Sequence, residues 1–350
     1  MLPTPELLEK MSHLRDIGIV STGGYVPERV VTNAELAEHL DTSDEWISSR
    51  TGIRERRFAA PGQATSDLAV QACRQALERS NTQASDVDLV ICATSSPDWV
   101  QPATAAAVHG GLGMRRDTGA MDINVVCSGF VHALHTGAAL LASEPLWRHV
   151  LVVGAECYSR LTDPTDRTTR VFFGDGAGAV LLGRELMGAD GGASSFLATH
   201  YGTDFAKHEA IIVPAGGTRE PATPTALAQR RNYFTMDGPA VKDFAVEHLA
   251  EAVEHVCSRA GVTPQELALV VPHQSNKRIL EGSLERLFLP EAVMHFTIER
   301  YGNTAGASIP LTLDDAVQAG RLKAGDLVCL VGYGGGLSWA ALLLRWMQAR

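Results

Sequence analysis

Apolar, β-branched runs alternate along the chain with stretches whose apolar positions recur at helical spacing. In the first half Ile17–Ser21, Leu89–Ala93, Ala120–Val126, Leu151–Gly154 and Ala177–Leu182 read as strands. In the second half Phe196–Tyr201, Leu267–Val271, Met294–Ile298, Leu327–Val331 and Trp339–Leu344 do the same. Leu68–Arg79 and Phe244–Ala260 carry the helical pattern. This alternation predicts an α/β sheet protein. Each half runs through a long helix, a short loop, a strand and a further loop, and Ser85–Ile91 parallels Pro264–Val271. An internal duplication follows. Pro214–Arg230, rich in Pro, Gly, Thr and Ala, reads as a surface excursion between the halves.

Composition narrows the function. Lys plus Arg number 30 and Asp plus Glu number 40, a formal charge of −10. No general nucleic-acid partner is expected, because such binding needs a basic face. Apolar runs such as Leu89–Ala93 and Val150–Ala155 are too short to span a membrane, so none is expected as a partner. Met1–Asp16 holds charges and Pro rather than an apolar signal core. The six cysteines are scattered with no CxxC pair, which fits a reducing, cytoplasmic setting. No cluster of ligands with zinc spacing is present, so no metal is expected.

Cys127 stands apart. A strand runs into it, and Phe130, Ala133, Leu134, Ala138 and Leu141 begin a helical pattern directly after it. The free N–H groups and positive end of a helix N-terminus favour a thiolate there. Taken singly, a core cysteine closing a strand is the blander account. His273, in Val271-Pro272-His273-Gln274-Ser275-Asn276, emerges at another strand end. Asn303, in Tyr301-Gly302-Asn303-Thr304, sits in a turn ahead of a helix, where a capping role is the plain alternative. Gly334-Gly335-Gly336 can bring backbone N–H groups to an oxyanion, and no GKS or GKT makes it a phosphate loop. Cys, His and Asn from separate strand ends form a coherent set for acyl transfer, and by themselves equally suit a papain-like hydrolase.

The local contexts resemble the β-ketoacyl-acyl-carrier-protein synthase III family of the thiolase superfamily, from about Asp16 to Trp346. The motifs occur in that family's order: Thr42–Ile47, Arg50–Arg56, Cys127–Phe130, Asp163–Arg167, Phe173–Gly178, His273–Asn276, Tyr301–Thr304 and Gly334–Gly336. The resemblance implies a thiolase-like duplicated αβαβα five-layer α/β fold. Its N-terminal half, 14–190, would carry the nucleophile; its C-terminal half, 191–350, would carry His and Asn. It implies a homodimer that takes acyl-CoA and malonyl-acyl carrier protein, with no cofactor beyond the coenzyme A thioester that serves as substrate. Cys127 would hold the acyl group, and His273 and Asn303 would stabilise the enolate left when a malonyl thioester loses CO₂. The N–H groups of Cys127 and Gly335 would form the oxyanion hole. Trp46 and Arg167 match the residues that sandwich adenine. Thr42, Arg50, Gly238 and Asn276 match the coenzyme A and pantetheine path, and Arg278 matches the carrier-protein anchor. Tyr333 stands where a two-cysteine thiolase has its second cysteine, and the elongating synthases use two histidines rather than His plus Asn.

Three departures bear on substrate. Gln101, in the loop that helps floor the family's acyl pocket, is polar where an aromatic residue is common. Lys242 and Asp243 replace an aromatic and a basic residue at the tunnel mouth. Glu281 and Glu285 interrupt the basic face that meets an acidic carrier. These features point toward a specialised, secondary-metabolite relative. The favoured expectation is decarboxylative condensation starting a fatty-acid or polyketide-type chain. Its rivals are a non-decarboxylative acyltransferase acting on a hydroxyl or amine, separable by CO₂ release, and a non-catalytic partner whose Cys127 takes no acyl group.

Overall fold

The computed structural model describes residues 17–184 and 196–347. The 190/191 junction expected between the halves and the N-terminal segment 1–16 lie outside the described residues. The first half contributes β1 (Gly18–Tyr25), α1 (Asp44–Thr51), α2 (Thr65–Arg79), β2 (Leu89–Ala93), β3 (Gly119–Ile123), α3 (Gly129–Ser143), β4 (His149–Cys157) and β5 (Asp175–Gly183). The second contributes β6 (Phe196–Thr203), α4 (Gly238–Ala260), β7 (Leu269–Pro272), α5 (Lys277–Leu287), α6 (Ser308–Gln318), β8 (Leu327–Gly334) and β9 (Ser338–Arg345).

The two main sheets repeat one plan. The five-stranded sheet runs β1-β5-β4-β2-β3, and the four-stranded sheet runs β6-β9-β8-β7. In both, the strand after the long helix pairs parallel with the central strand, which pairs antiparallel with the next. The place of β3 is held in the second sheet by one parallel bridge, Met294 to Val270. The strand expected over Met294–Ile298 therefore does not form. The Gln274 side chain takes up the backbone groups a ladder would use: its amide donates to the His295 carbonyl, and its oxygen accepts from Thr297 and Ile298 N–H.

Strand alternation builds the layers. Val150 and Val152 on β4, with Val328 and Leu330 on β8, face a shared core around α3 and α6. Leu151, Val153 and Ala155 turn outward to α2, while Cys329, Val331 and Tyr333 turn outward to α4 and α5. Strands buried on both faces explain the continuous apolar runs. The result is the expected five-layer αβαβα arrangement, and it matches solved structures of the same fold. The central helix carries one correction. Val126–Ser143 is long and apolar enough to cross a membrane, although more than half of it is buried in protein. Its apolarity comes from lying between two sheets, where Leu134 and Leu141 are fully buried. Replacing Leu134 with Ala would cost about 2–5 kcal/mol.

Candidate active site

The elbow at Cys127 forms because the chain must turn sharply between β3 and α3. β3 ends at Ile123, three residues earlier than the apolar run predicts, and Val126 takes φ of 48°. A single 3-10 turn, Val126–Ser128, then feeds the helix. The matching turn in the second half is Ala305–Ala307, entered at Ala305 with φ of 44° and followed by α6. The central strands crowd both turns. A Cβ on Gly332 would lie 3.1 Å from the Cys127 carbonyl oxygen, and one on Gly154 would lie 2.6 Å from that of Gly306. Only glycine lets each strand approach so closely.

Cys127, His273 and Asn303 are all buried, and all line one cavity of roughly 530 Å³, a size suited to a small-molecule site. Burial, followed by the nearby Glu156 carboxylate, pushes the Cys127 thiol up, while a backbone hydrogen bond pulls the other way. Desolvation thus works against the thiolate that the helix end favours. Burial also lowers His273, to about 3, so its imidazole is neutral. The Ser308 hydroxyl accepts from Gln274 N–H at 3.3 Å and sits 2.7 Å from His273 Nδ1. With its proton given to Nδ1, it leaves Nε2–H as the ring's donor.

Asn303 is held by its backbone and aimed by its side chain. Its N–H donates to the Phe172 carbonyl at 2.8 Å, and its carbonyl accepts from Gly174 N–H at 3.0 Å. Its Oδ1 accepts from Ala305 N–H at 2.8 Å, which leaves the Nδ2 amide to present. The cap-like hydrogen bond and the cavity position coexist. Asn276 behaves similarly. It caps α5 through Arg278 N–H at 2.9 Å, donates to the Arg50 carbonyl at 3.1 Å, and lines the cavity.

Trp46, Arg50, Gly238, Asn276 and Arg278 line the same cavity as the trio, as do Lys242 and Asp243. The Arg50 and Arg167 guanidinium carbons stand 5.0 and 5.4 Å from the Trp46 ring centroid. Arg167 also donates to the Asp41 carbonyl at 3.1 Å. The indole thus already carries Arg167, and an adenine between them requires that arginine to swing away. The Thr42 hydroxyl is buried with no hydrogen-bond partner, and Thr42 does not line the cavity. Gly335 does not line the cavity. A Cβ on it would meet Val126 and Ile211, and Gly334 takes the wall beside Cys127. Gln101 is exposed, on a loop with Trp99 at 54% and Val100 at 96% exposure, and does not reach this cavity within one chain.

Several site residues escaped the sequence reading. Phe172, Phe173, Phe234, Ile211, Met236 and Val241 give the cavity its apolar wall. Phe173 stacks on Tyr158 at 4.8 Å and meets Phe234 edge-on. The Tyr333 hydroxyl donates to Ser275 Oγ at 2.5 Å, and its ring meets His273 edge-on at 5.5 Å. Glu156 was also missed, although a lone acid in the apolar run Val150–Cys157 was a visible signal.

Two family profiles match the chain. One, described as 3-oxoacyl-[acyl-carrier-protein (ACP)] synthase III, matches residues 121–204, and its C-terminal counterpart matches 257–346. A β-ketoacyl-[acyl-carrier-protein] synthase III of Symbiobacterium thermophilum is 44% identical over 333 residues, covering 95% of this chain and 99% of that one. The acetoacetyl CoA synthase NphT7 of a Streptomyces species is 44% identical over 328 residues, covering 94% and 98%. The crystal structure of 3-oxoacyl-[acyl-carrier-protein] synthase III from Aquifex aeolicus superposes with a TM-score of 0.84 at 37% identity, covering 94% of this chain and 100% of that one.

Proposed function

Because the chain belongs to the 3-oxoacyl-[acyl-carrier-protein] synthase III family, we propose that it is a condensing enzyme whose nucleophile is Cys127. It joins an acyl-CoA primer to a malonyl thioester on acyl carrier protein and so starts a fatty-acid or polyketide-type chain. The observation that carries the residue assignment is the meeting of Cys127, His273 and Asn303 in one apolar-walled cavity.

In the first half-reaction Cys127 sulfur attacks the acyl carbonyl. The carbon–sulfur bond to coenzyme A breaks, and the thiol proton ends on the departing coenzyme A sulfur. In the second, the malonyl carboxylate leaves as CO₂. Its bonding electrons become an enolate, whose oxygen takes hydrogen bonds from His273 Nε2–H and Asn303 Nδ2–H. The enolate carbon then attacks the acyl-Cys thioester; the new carbon–carbon bond forms as the bond from the acyl carbon to Cys127 sulfur breaks, and the released thiolate takes a proton from solvent. The electron pair for the new bond comes from decarboxylation, so the scheme needs no redox cofactor or metal. A neutral His273 suits this role, since a charged imidazolium would need a proton that its burial disfavours.

A second acceptor is favoured by the surface of α5. Lys277 pairs with Glu299 at 3.0 Å, Arg286 lies 3.7 Å from Glu251, and Glu281 and Glu285 share the helix. Much of the basic face is thus neutralised and Arg278 is left to steer an acidic carrier. Malonyl-CoA would then compete as acceptor, in keeping with the acetoacetyl CoA synthase among the relatives. The exposed Trp99 and Val100 fit a homodimer contact.

Intact-protein mass after incubation with a panel of acyl-CoAs tests the scheme. Wild type gains the acyl mass and Cys127→Ala does not. Adding malonyl-carrier protein or malonyl-CoA to the acylated enzyme releases CO₂ in step with the β-keto product. Acyl transfer to a hydroxyl or amine without CO₂ would replace condensation as the activity.

A further inference from the structure

The chemistry above leaves the fully buried acid Glu156 unused. Glu156 stands on β4 where Gly334 stands on β8, and its carboxylate lies against Gly306 as the bare Gly334 backbone lies against Cys127. Every neighbour donates to it. Ser95 N–H lies 3.1 Å from Oε1 and 3.2 Å from Oε2, and Ser95 Oγ lies 2.8 Å from Oε1. Thr94 Oγ1 reaches Oε2 at 3.3 Å, and Ser96 Oγ donates to the same oxygen. Gly306 N–H completes the set at 3.3 Å from Oε1. The contact is tight, since a Cβ on Gly306 would lie 2.8 Å from Oε1. Gly306 directly follows Ala305, whose N–H holds Asn303 Oδ1. The carboxylate therefore anchors the left-handed turn that aims Asn303.

We propose that Glu156 is a positioning residue: it occupies the duplicate of the nucleophile's place and, through Gly306, fixes the loop that points the Asn303 amide at the malonyl thioester. The inference rests on the condensing role given to Asn303 above. It predicts a split between the half-reactions, because acylation of Cys127 does not need the Asn303 amide and decarboxylation does.

The test measures both steps on the full chain: Cys127 acylation by mass, and CO₂ release from malonyl thioester after acylation. E156A acylates within a few fold of wild type and loses roughly a hundredfold in CO₂ release, the scale of removing one oxyanion donor. E156Q recovers most of that loss. Its oxygen can accept from Ser95 and Gly306 N–H, and its NH₂ can donate to the Thr94 and Ser96 hydroxyls. E156A combined with Asn303→Ala adds little to the loss of Asn303→Ala alone, as expected for groups acting in series. Should E156A not fold, E156D is read by the same split, since it draws the oxygens back from Gly306. Equal slowing of both steps, no change in either, or additive losses with Asn303→Ala overturns the proposal. A wild type that takes an acyl group but releases no CO₂ overturns the condensing reading itself. A wild type that condenses while E156A keeps pace with it overturns only the role of Glu156.

Discussion

The turns Val126–Ser128 and Ala305–Ala307 hold the same station in the two halves of the molecule and do opposite things with it. Each opens on a residue at positive φ, leads into a central helix and lies under a glycine of the central strand. In the first turn the side chain is on the loop, as Cys127, and the strand is bare, at Gly334. In the second the loop is bare, at Gly306, and the side chain is on the strand, as Glu156. One arrangement leaves a reactive atom facing a cavity; the other closes the space with a hydrogen-bonded carboxylate. A duplicated scaffold thus presents a thiol to a cavity at one of its two turns by placing one side chain differently in each copy.

The sharpest break of this comparison moves the thiol. Cys127→Ala removes acyl-enzyme formation, and adding Gly306→Cys does not restore it, because its Cβ would meet Glu156 Oε1 at 2.8 Å. Intact mass reads both results. Adding a side chain at the bare strand position is nearly as damaging. A Cβ at Gly334 would lie 2.8 Å from Cys127 N and 3.0 Å from its Cβ, so Gly334→Ala loses acylation and about 1–3 kcal/mol of stability by overpacking. Denaturant titration with the mass assay separates the two losses. Next, His273→Ala or Asn303→Ala lowers CO₂ release by about 100- to 1,000-fold while Cys127 still acylates.

pH separates the two buried groups by sign. His273 has a folded pKa depressed to about 3 from 6.5, so the unfolded chain binds its proton first and stability falls as pH drops through that window. Burial raises Glu156 to about 7 from 4.5, so the folded chain keeps its proton longer and stability falls as pH rises from 4.5 toward 7. Melting curves across pH should show His273→Asn flattening the acid side and Glu156→Gln the neutral side. The smallest effect is expected at the cavity rim. Arg167→Ala removes a cation–π contact of about 0.5–2 kcal/mol and raises the KM for acyl-CoA several-fold, with little change in kcat.

Much of this was legible in the sequence, and the reasons differ by residue. The strand and helix series follows from periodicity, which is why α2 and α4 hold the helical runs expected at Leu68–Arg79 and Phe244–Ala260. Cys127, His273 and Asn303 were visible because their chemistry is rare at strand ends. The missing strand near Met294 was not, because a distant side chain, Gln274, satisfies that backbone. The upward push on the Cys127 thiol was also hidden, since burial in a tertiary core has no local sequence mark. A run of three glycines gives no cue to which one lines the cavity, and Gly334 is the one that does.

The crowding at Gly154 and Gly332 carries a consequence for descent. A copy of the scaffold that exchanged its working half would have to gain a thiol at Gly306 and lose the carboxylate at Glu156. It would also have to alter Cys127 and Gly334, with each single step meeting either a clash or an unfilled void. Each such intermediate would be destabilised by overpacking or a void, so the path between the two duplicated arrangements runs uphill. Once one half acquired the nucleophile, mutational epistasis alone would keep it there, without any advantage of that half over the other.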